Sequence, residues 1–290
     1  VARMTIPLPQ KVQLKVRLPG RSYIDKHIFA KLEQLGIPPS GLCTDSEFLR
    51  RASIDICGTL PTAKEAQQFL ADKDAMKREK LIDRLLQRSE YASYFALKWG
   101  DMLRNRQERL VKVGGGSGRA LGMHKWIRDS LQKNKRYDRF VQELLTAKGT
   151  MYGKDGHPAV GWFNVLKTPQ AMVDDVAQIF LGARIQCAQC HHHPYEKWSQ
   201  DDYWGLASFF ARVKLSKGNQ KPPRDFRNAQ AVLILDSGKL TNRQGKIYTR
   251  PRPLGGGELE IAKGQDPREK LADWLTSPKK PFFERALVNR

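Results

Sequence analysis

Cysteine is scarce in this chain, with four among 290 residues, and histidine nearly as scarce, with six. Long apolar runs are missing. Nothing approaches the ~18 to 20 consecutive apolar residues of a membrane-crossing helix, so no membrane span is expected. The first residues show no progression from basic to apolar to small, and no secretory signal is visible. Acids are outnumbered, 30 against 51 lysines and arginines, which leaves a formal net charge of +21. Such an excess draws a chain toward acidic partners, anionic surfaces or nucleic acid. The basic residues are scattered, however, and the densest cluster, Lys214 to Arg227, sits among Gly and Pro and reads as a solvated loop. No carboxylate pair stands at a recognisable catalytic spacing, and Asp201-Asp202 reads as helix capping. With 40% hydrophobic residues the chain can still bury a core, and its length suits one large domain or two smaller ones.

Half of the scarce cysteine falls in one frame, Cys187-Ala188-Gln189-Cys190-His191, the spacing at which c-type haem is covalently attached. Two thiols three positions apart can each add to one vinyl group of the same porphyrin, and the adjacent imidazole turns to the iron as proximal ligand. Zinc is the alternative, held by Cys187, Cys190 and two of His191, His192 and His193. It lacks a second ligand pair, since no Cys or His follows Pro194. A redox dithiol is the third option, without a surrounding thioredoxin-like βαβ pattern. For the second axial position, His192 and His193 are too near in sequence to cross to the other face of the ring. His124 is the distal ligand expected, ahead of His157, Met102, Met123 and Met172. His193, before Pro194, is a candidate for contact with a haem propionate or the backbone.

The remaining pattern is helical. Tyr23, Ile24, Ile28, Leu32 and Leu35 recur at three to four and stop at Gly36. Thr44 with Glu47, and Thr62 with Glu65, fit capping boxes opening helices over 45–57 and 63–72. Further helices are expected over 76–86, 90–106, 120–133 and 137–147. The glycine run 114–118 reads as a flexible loop, with no P-loop frame around it, and 151–164 as loop. Thr168-Pro169 starts a helix ending near Gly182 that delivers the motif, and Ser199 with Asp202 starts another carrying Tyr203, Trp204, Leu206, Phe209 and Phe210. The runs 231–235 and 246–249 suggest a small hairpin or sheet, and a helix is expected over 267–276. Cys43 and Cys57, at opposite ends of one helix, would stand about 20 Å apart at 1.5 Å per residue, so two thiols are favoured over a bridge. The expected fold is mainly α, a multi-helix domain with a small β region near 230–250. The expected divisions are a helical domain 1–213, a loop-rich segment 214–265, and the start of a following helical domain at 266–290.

Several stretches taken in order resemble one family: Tyr23-Ile24-Asp25 to Pro39-Ser40, Phe48 to Asp55, Gly58 to Thr62, Lys80 to Leu86, Phe180 to His191, His193-Pro194, Lys197-Trp198, Asp201 to Tyr203 and Pro253 to Gly256. Together they are similar to the planctomycete cytochrome-associated domain of uncharacterised function, over nearly the whole chain. The resemblance implies a piece of a larger exported, multidomain protein, periplasmic or on the cell surface, with flanking domains of the same polypeptide as neighbours. A start at Val1 and a stop at Arg290 agree with that reading. The leading functional expectation is a monohaem c-type cytochrome domain that passes electrons to or from a redox partner protein, acidic by complementarity to the +21 charge. The alternatives are a haem- or metal-dependent extracellular enzyme and a zinc-stabilised, non-catalytic binding module. Nucleic acid is the weakest partner class.

Overall fold

The computed structural model describes residues 23–106, 117–216, 229–278 and 282–289. These residues form twelve α-helices and two antiparallel two-stranded sheets, so the fold is mainly α with a small β region. Most of the glycine run, and most of the basic cluster between Lys214 and Arg227, lie outside the described residues.

Two compact units can be distinguished, and two of the three boundaries between them fall inside helices. The first takes its described residues from within 1–54 and 60–81. It holds α1 (Tyr23–Leu35), most of α2 (Asp45–Cys57), α3 (Ala63–Ala71) and the first half of α4 (Lys77–Leu86). Its α1 buries no residue, and the chain leaves that helix at Gly36, whose φ of 69° suits a residue without Cβ. Helix α3 starts on a complete capping box between Thr62 and Glu65. At α2 only half of the expected box forms, with Glu47 N–H donating to Thr44 Oγ1 at 3.3 Å. Asp45 is gripped by Arg78 at 2.7 Å and Lys77 at 2.7 Å, and Phe48 stacks on Phe69.

The second unit, 55–59 with 82–290, carries the main core. It comprises α5 (Ser89–Met102), α6 (Ser117–Gln132), α7 (Tyr137–Thr146), α8 (Val160–Leu166), α9 (Pro169–Phe180), α10 (Gln200–Ala207), α11 (Pro267–Leu275) and α12 (Phe282–Val288). Helix α5 packs on α6, α11 on α7, and α9 is flanked by α8, α10 and α12. Cys57 is buried here and donates its thiol to the Leu85 carbonyl at 3.5 Å; Cys43 and Cys57 are not bridged to each other.

Two elements differ from the sequence pattern. The expected loop 151–164 contains α8, because Trp162 and Phe163 are fully buried and their burial outweighs the Pro158 and Gly161 punctuation. The two apolar β runs do not pair with each other. Strand β2 (Ala231–Ile234) pairs with β1 (Val213–Ser216), and β4 (Ile247–Tyr248) pairs with β3 (Leu240–Thr241). Short strands with one buried face take whichever partner completes it, a long-range choice that local pattern does not encode. Among the described residues, no helix is long and apolar enough to cross a membrane.

Candidate functional site

Thr168 caps α9, its hydroxyl accepting from Ala171 N–H at 3.2 Å with Pro169 in the first turn, and this helix aims the chain at the motif. After Gly182 a 3₁₀ turn runs over Gln186–Gln189 and closes with Cys190 N–H donating to the Cys187 carbonyl at 3.3 Å. In such a turn residues i and i+3 eclipse, so Cys187 and Cys190 share one edge, and both thiols are exposed.

The three histidines that follow have different hydrogen-bond partners. His191 Nδ1 lies 2.6 Å from the His192 carbonyl, and a carbonyl only accepts, so Nδ1 carries the proton. Nε2 is the ring nitrogen left over, with no partner among the described residues. His192 Nδ1 accepts from Gln200 N–H at 3.3 Å. His193 Nδ1 accepts from the N–H groups of Tyr195 at 3.2 Å and Glu196 at 2.9 Å, and its Nε2 donates to the Arg184 carbonyl at 3.0 Å. The contact expected of His193 is thus with backbone, and it staples the loop shut. Helix α10 fixes the other side. Ser199 and Asp202 form its capping box, Gln200 Nε2 donates to the Cys190 carbonyl at 2.9 Å, and the Trp204 indole donates to the Gln189 carbonyl at 3.1 Å. Asp201 accepts from Lys246 and from the Tyr248 hydroxyl, each at 2.7 Å, and these bonds hold its carboxyl below the usual range. Tyr203, Trp204, Leu206, Phe209 and Phe210 are all buried and belong to the core.

Of the distal candidates, His124 is half-buried on α6, and its ring has no partner among the described residues. The described packing of α6 is on α5 and α8, whereas the motif turn packs on α10. His157 is engaged: its Nδ1 accepts from Ala159 N–H at 3.2 Å and burial lowers its pKa. Met123 and Met172 lie inside the core, and Met102 packs against it. No group of three or more His, Cys, Asp or Glu side chains converges among the described residues.

Sequence reasoning missed a buried acidic pair beside the motif. Asp175 of α9 is 2% exposed and receives Arg104 Nη2 at 2.8 Å, while Arg104 itself holds a left-handed φ of 54°, a conformation costly for a residue with a Cβ. Asp174 is pushed up to about 6 by burial, with the neighbouring Asp175 charge adding to it and Tyr203 and Arg104 opposing. Burial likewise raises Asp175. The Tyr203 hydroxyl addresses Asp174 and the Trp162 indole addresses Asp175, each short of hydrogen-bond geometry. Tyr203 is raised by burial first, then by Asp174, and also by the nearby Cys190. A polar cavity of about 420 Å³ opens here, lined by Arg104, Asp174, Gln178, Arg184 and Gln186 among others. The available signal was Asp175 occupying an apolar-face position, three after Met172 and four before Ile179.

Residues 23–215, about two-thirds of the chain, match the family model PSCyt2, described as a protein of unknown function (DUF1549). The chain belongs to the PSCyt2 family. Its matched segment runs from α1 into β1 and so includes the motif turn, the histidine staple and the acidic pair. Neither curated proteins nor solved structures gave this PSCyt2 chain a match.

Proposed function

We propose that this chain is a c-type cytochrome domain, carrying one haem bonded through Cys187 and Cys190 with iron held by His191, and that it transfers electrons within a larger exported protein. The observation that carries this reading is two exposed thiols on one edge of a 3₁₀ turn beside His191, whose Nδ1–H is tied to a backbone carbonyl and whose Nε2 has no partner among the described residues. A proximal histidine needs that tautomer, with Nδ1–H tied to a backbone carbonyl so that the ring keeps its orientation. When bound, haem supplies a one-electron couple at iron. The residues around it hold the turn. Gln200 and Trp204 fix the carbonyls of residues 189 and 190, and the His193 staple keeps the returning chain beside Arg184.

The cavities flanking the motif, about 350 and 420 Å³, are lined by neither thiol nor by His191. With both thiols exposed, Cys187, Cys190 and His191 would hold the haem outside these cavities, where it would supply electron transfer to a partner rather than catalysis on an enclosed substrate. His124, half-buried and with a ring otherwise unengaged among the described residues, would be the second residue to hold the iron. The +21 charge favours an acidic redox partner, and the family resemblance favours a planctomycete, periplasmic or cell-surface setting.

Expression alongside a cytochrome maturation system tests the reading. The wild-type chain is expected to give a c-type pyridine haemochrome spectrum, and Cys187→Ala/Cys190→Ala to give none. His124→Ala is expected to keep the haemochrome spectrum and to gain carbon monoxide binding in the reduced protein. A colourless wild-type chain holding tetrahedral zinc would overturn the proposal.

A further inference from the structure

A second cavity beside the motif, of about 350 Å³, differs in kind from the polar one. The chain immediately before the motif, Leu181 to Arg184, forms one side, and His193 to Trp198, immediately after it, forms the other. Trp274 and Phe282 close it. We propose that this cavity binds a planar aromatic molecule of one or two fused rings bearing a hydroxyl or a carboxylate, and that it does so whether or not haem is attached.

Size sets the first limit. Small-molecule pockets span roughly 300 to 1,000 Å³, so this one sits at the lower end and admits a bicyclic ring, while four linked pyrroles do not fit. The walls set the second. Trp198, Trp274 and Phe282 line it with Leu181 and Leu254 between them, and Tyr195 stands at its rim. Tyr195 is 93% exposed and Phe282 48% exposed, and Trp198 and Trp274 are half-buried. Aromatic side chains of the core engage one another, as Trp126 does with Phe140 and Tyr137 with Phe283. None of the four cavity rings pairs with another aromatic ring among the described residues. Four unpaired rings around one concavity leave stacking faces for a flat guest.

The polar groups set the third limit. Both ring nitrogens of His193 are consumed by the loop, so it contributes only a flat surface. Arg184 and Glu196 form no ion pair among the described residues, leaving one cation and one anion free at the lining. Lys197 adds positive charge, its ammonium 5.1 Å from the Trp198 ring centroid. Glu196 can accept from a phenolic hydroxyl, and Arg184 can pair with a carboxylate. A sugar would turn its hydroxyls toward a lining that is mostly hydrocarbon, and a saturated chain would forgo the stacking.

Tryptophan fluorescence and calorimetric titration of the purified chain with 2-naphthol test the proposal, with cellobiose and decanol as competing chemistries. Saturable binding of one 2-naphthol per chain is expected, weakened at least tenfold in Trp274→Ala and in Ala183→Leu, which fills the cavity. Tyr195→Ala, at an exposed position that the fold does not depend on, is expected to weaken it several-fold, and keeps the test valid if the tryptophan variant fails to fold. Cys187→Ala/Cys190→Ala is expected to bind unchanged, which separates this site from haem attachment. Absence of saturable binding, tighter binding of cellobiose or decanol, or undiminished naphthol binding in folded Tyr195→Ala and Ala183→Leu overturns it.

Discussion

At the residue scale, one proton position on His191 and one on Asp174 have the clearest consequences. The raised Asp174 pKa, about 6 against an ordinary 3.8, means that the folded chain holds this proton more tightly than the unfolded chain does. Stability from this group is therefore fully present below about pH 3.8 and is lost as pH rises through about 6. Asp175, Arg104 and Tyr203 face the same carboxyl and stay in place in Asp174→Asn. That variant is expected to show a shallower fall in Tm between pH 4 and 7, the remainder belonging to the raised Asp175, and to melt above the wild type at pH 7.5. An unchanged pH slope would show that the carboxyl titrates normally. Arg268 makes a different case. It is fully buried, paired with Asp266 at 2.7 Å, and donates to the carbonyls of Thr146 and Ala147 at 3.3 and 2.9 Å. Arg268→Ala strands a buried carboxylate and is expected to cost about 3–5 kcal/mol in urea unfolding.

At the scale of elements, the link between α10 and the motif turn matters most. Ser199→Ala removes the cap that starts α10 and is expected to cost about 1 kcal/mol, seen as a lower urea midpoint with an unchanged slope. Elements whose signals are local were legible in the sequence. Helix α2 runs Asp45–Cys57 as expected, and α3, α4, α7, α9 and α11 match within two residues, because caps, prolines and three-to-four periodicity act over one or two turns. Helix α5 stops at Met102, short of the expected 106, with Arg104 turning into a left-handed conformation that no side-chain pattern announces. Helix α8 and the pairing of β1 with β2 depend on contacts distant in sequence, and local reasoning has no access to them. The same division holds at the site. The thiol pair and His191 were readable because spacing encodes them. The Asp174–Asp175 pair becomes a site only when α5, α9 and α10 bring Arg104, the two carboxyls and Tyr203 together.

At the scale of the whole molecule, the described chain is two units of unequal size, and the motif, both cavities and the main core belong to the larger. Family membership covers residues 23–215, so the proposed haem site lies within the family's matched segment, while Leu254, Trp274 and Phe282 of the aromatic cavity lie beyond it. The most direct measurement is mass spectrometry of the tryptic peptide Ile185 to Lys197, cut after Arg184 and after Lys197, from chain matured in cells that make c-type cytochromes. One haem on this peptide, with neither Cys187 nor Cys190 open to alkylation, is the expected result. An unmodified peptide with both thiols free to alkylate would contradict the cytochrome assignment.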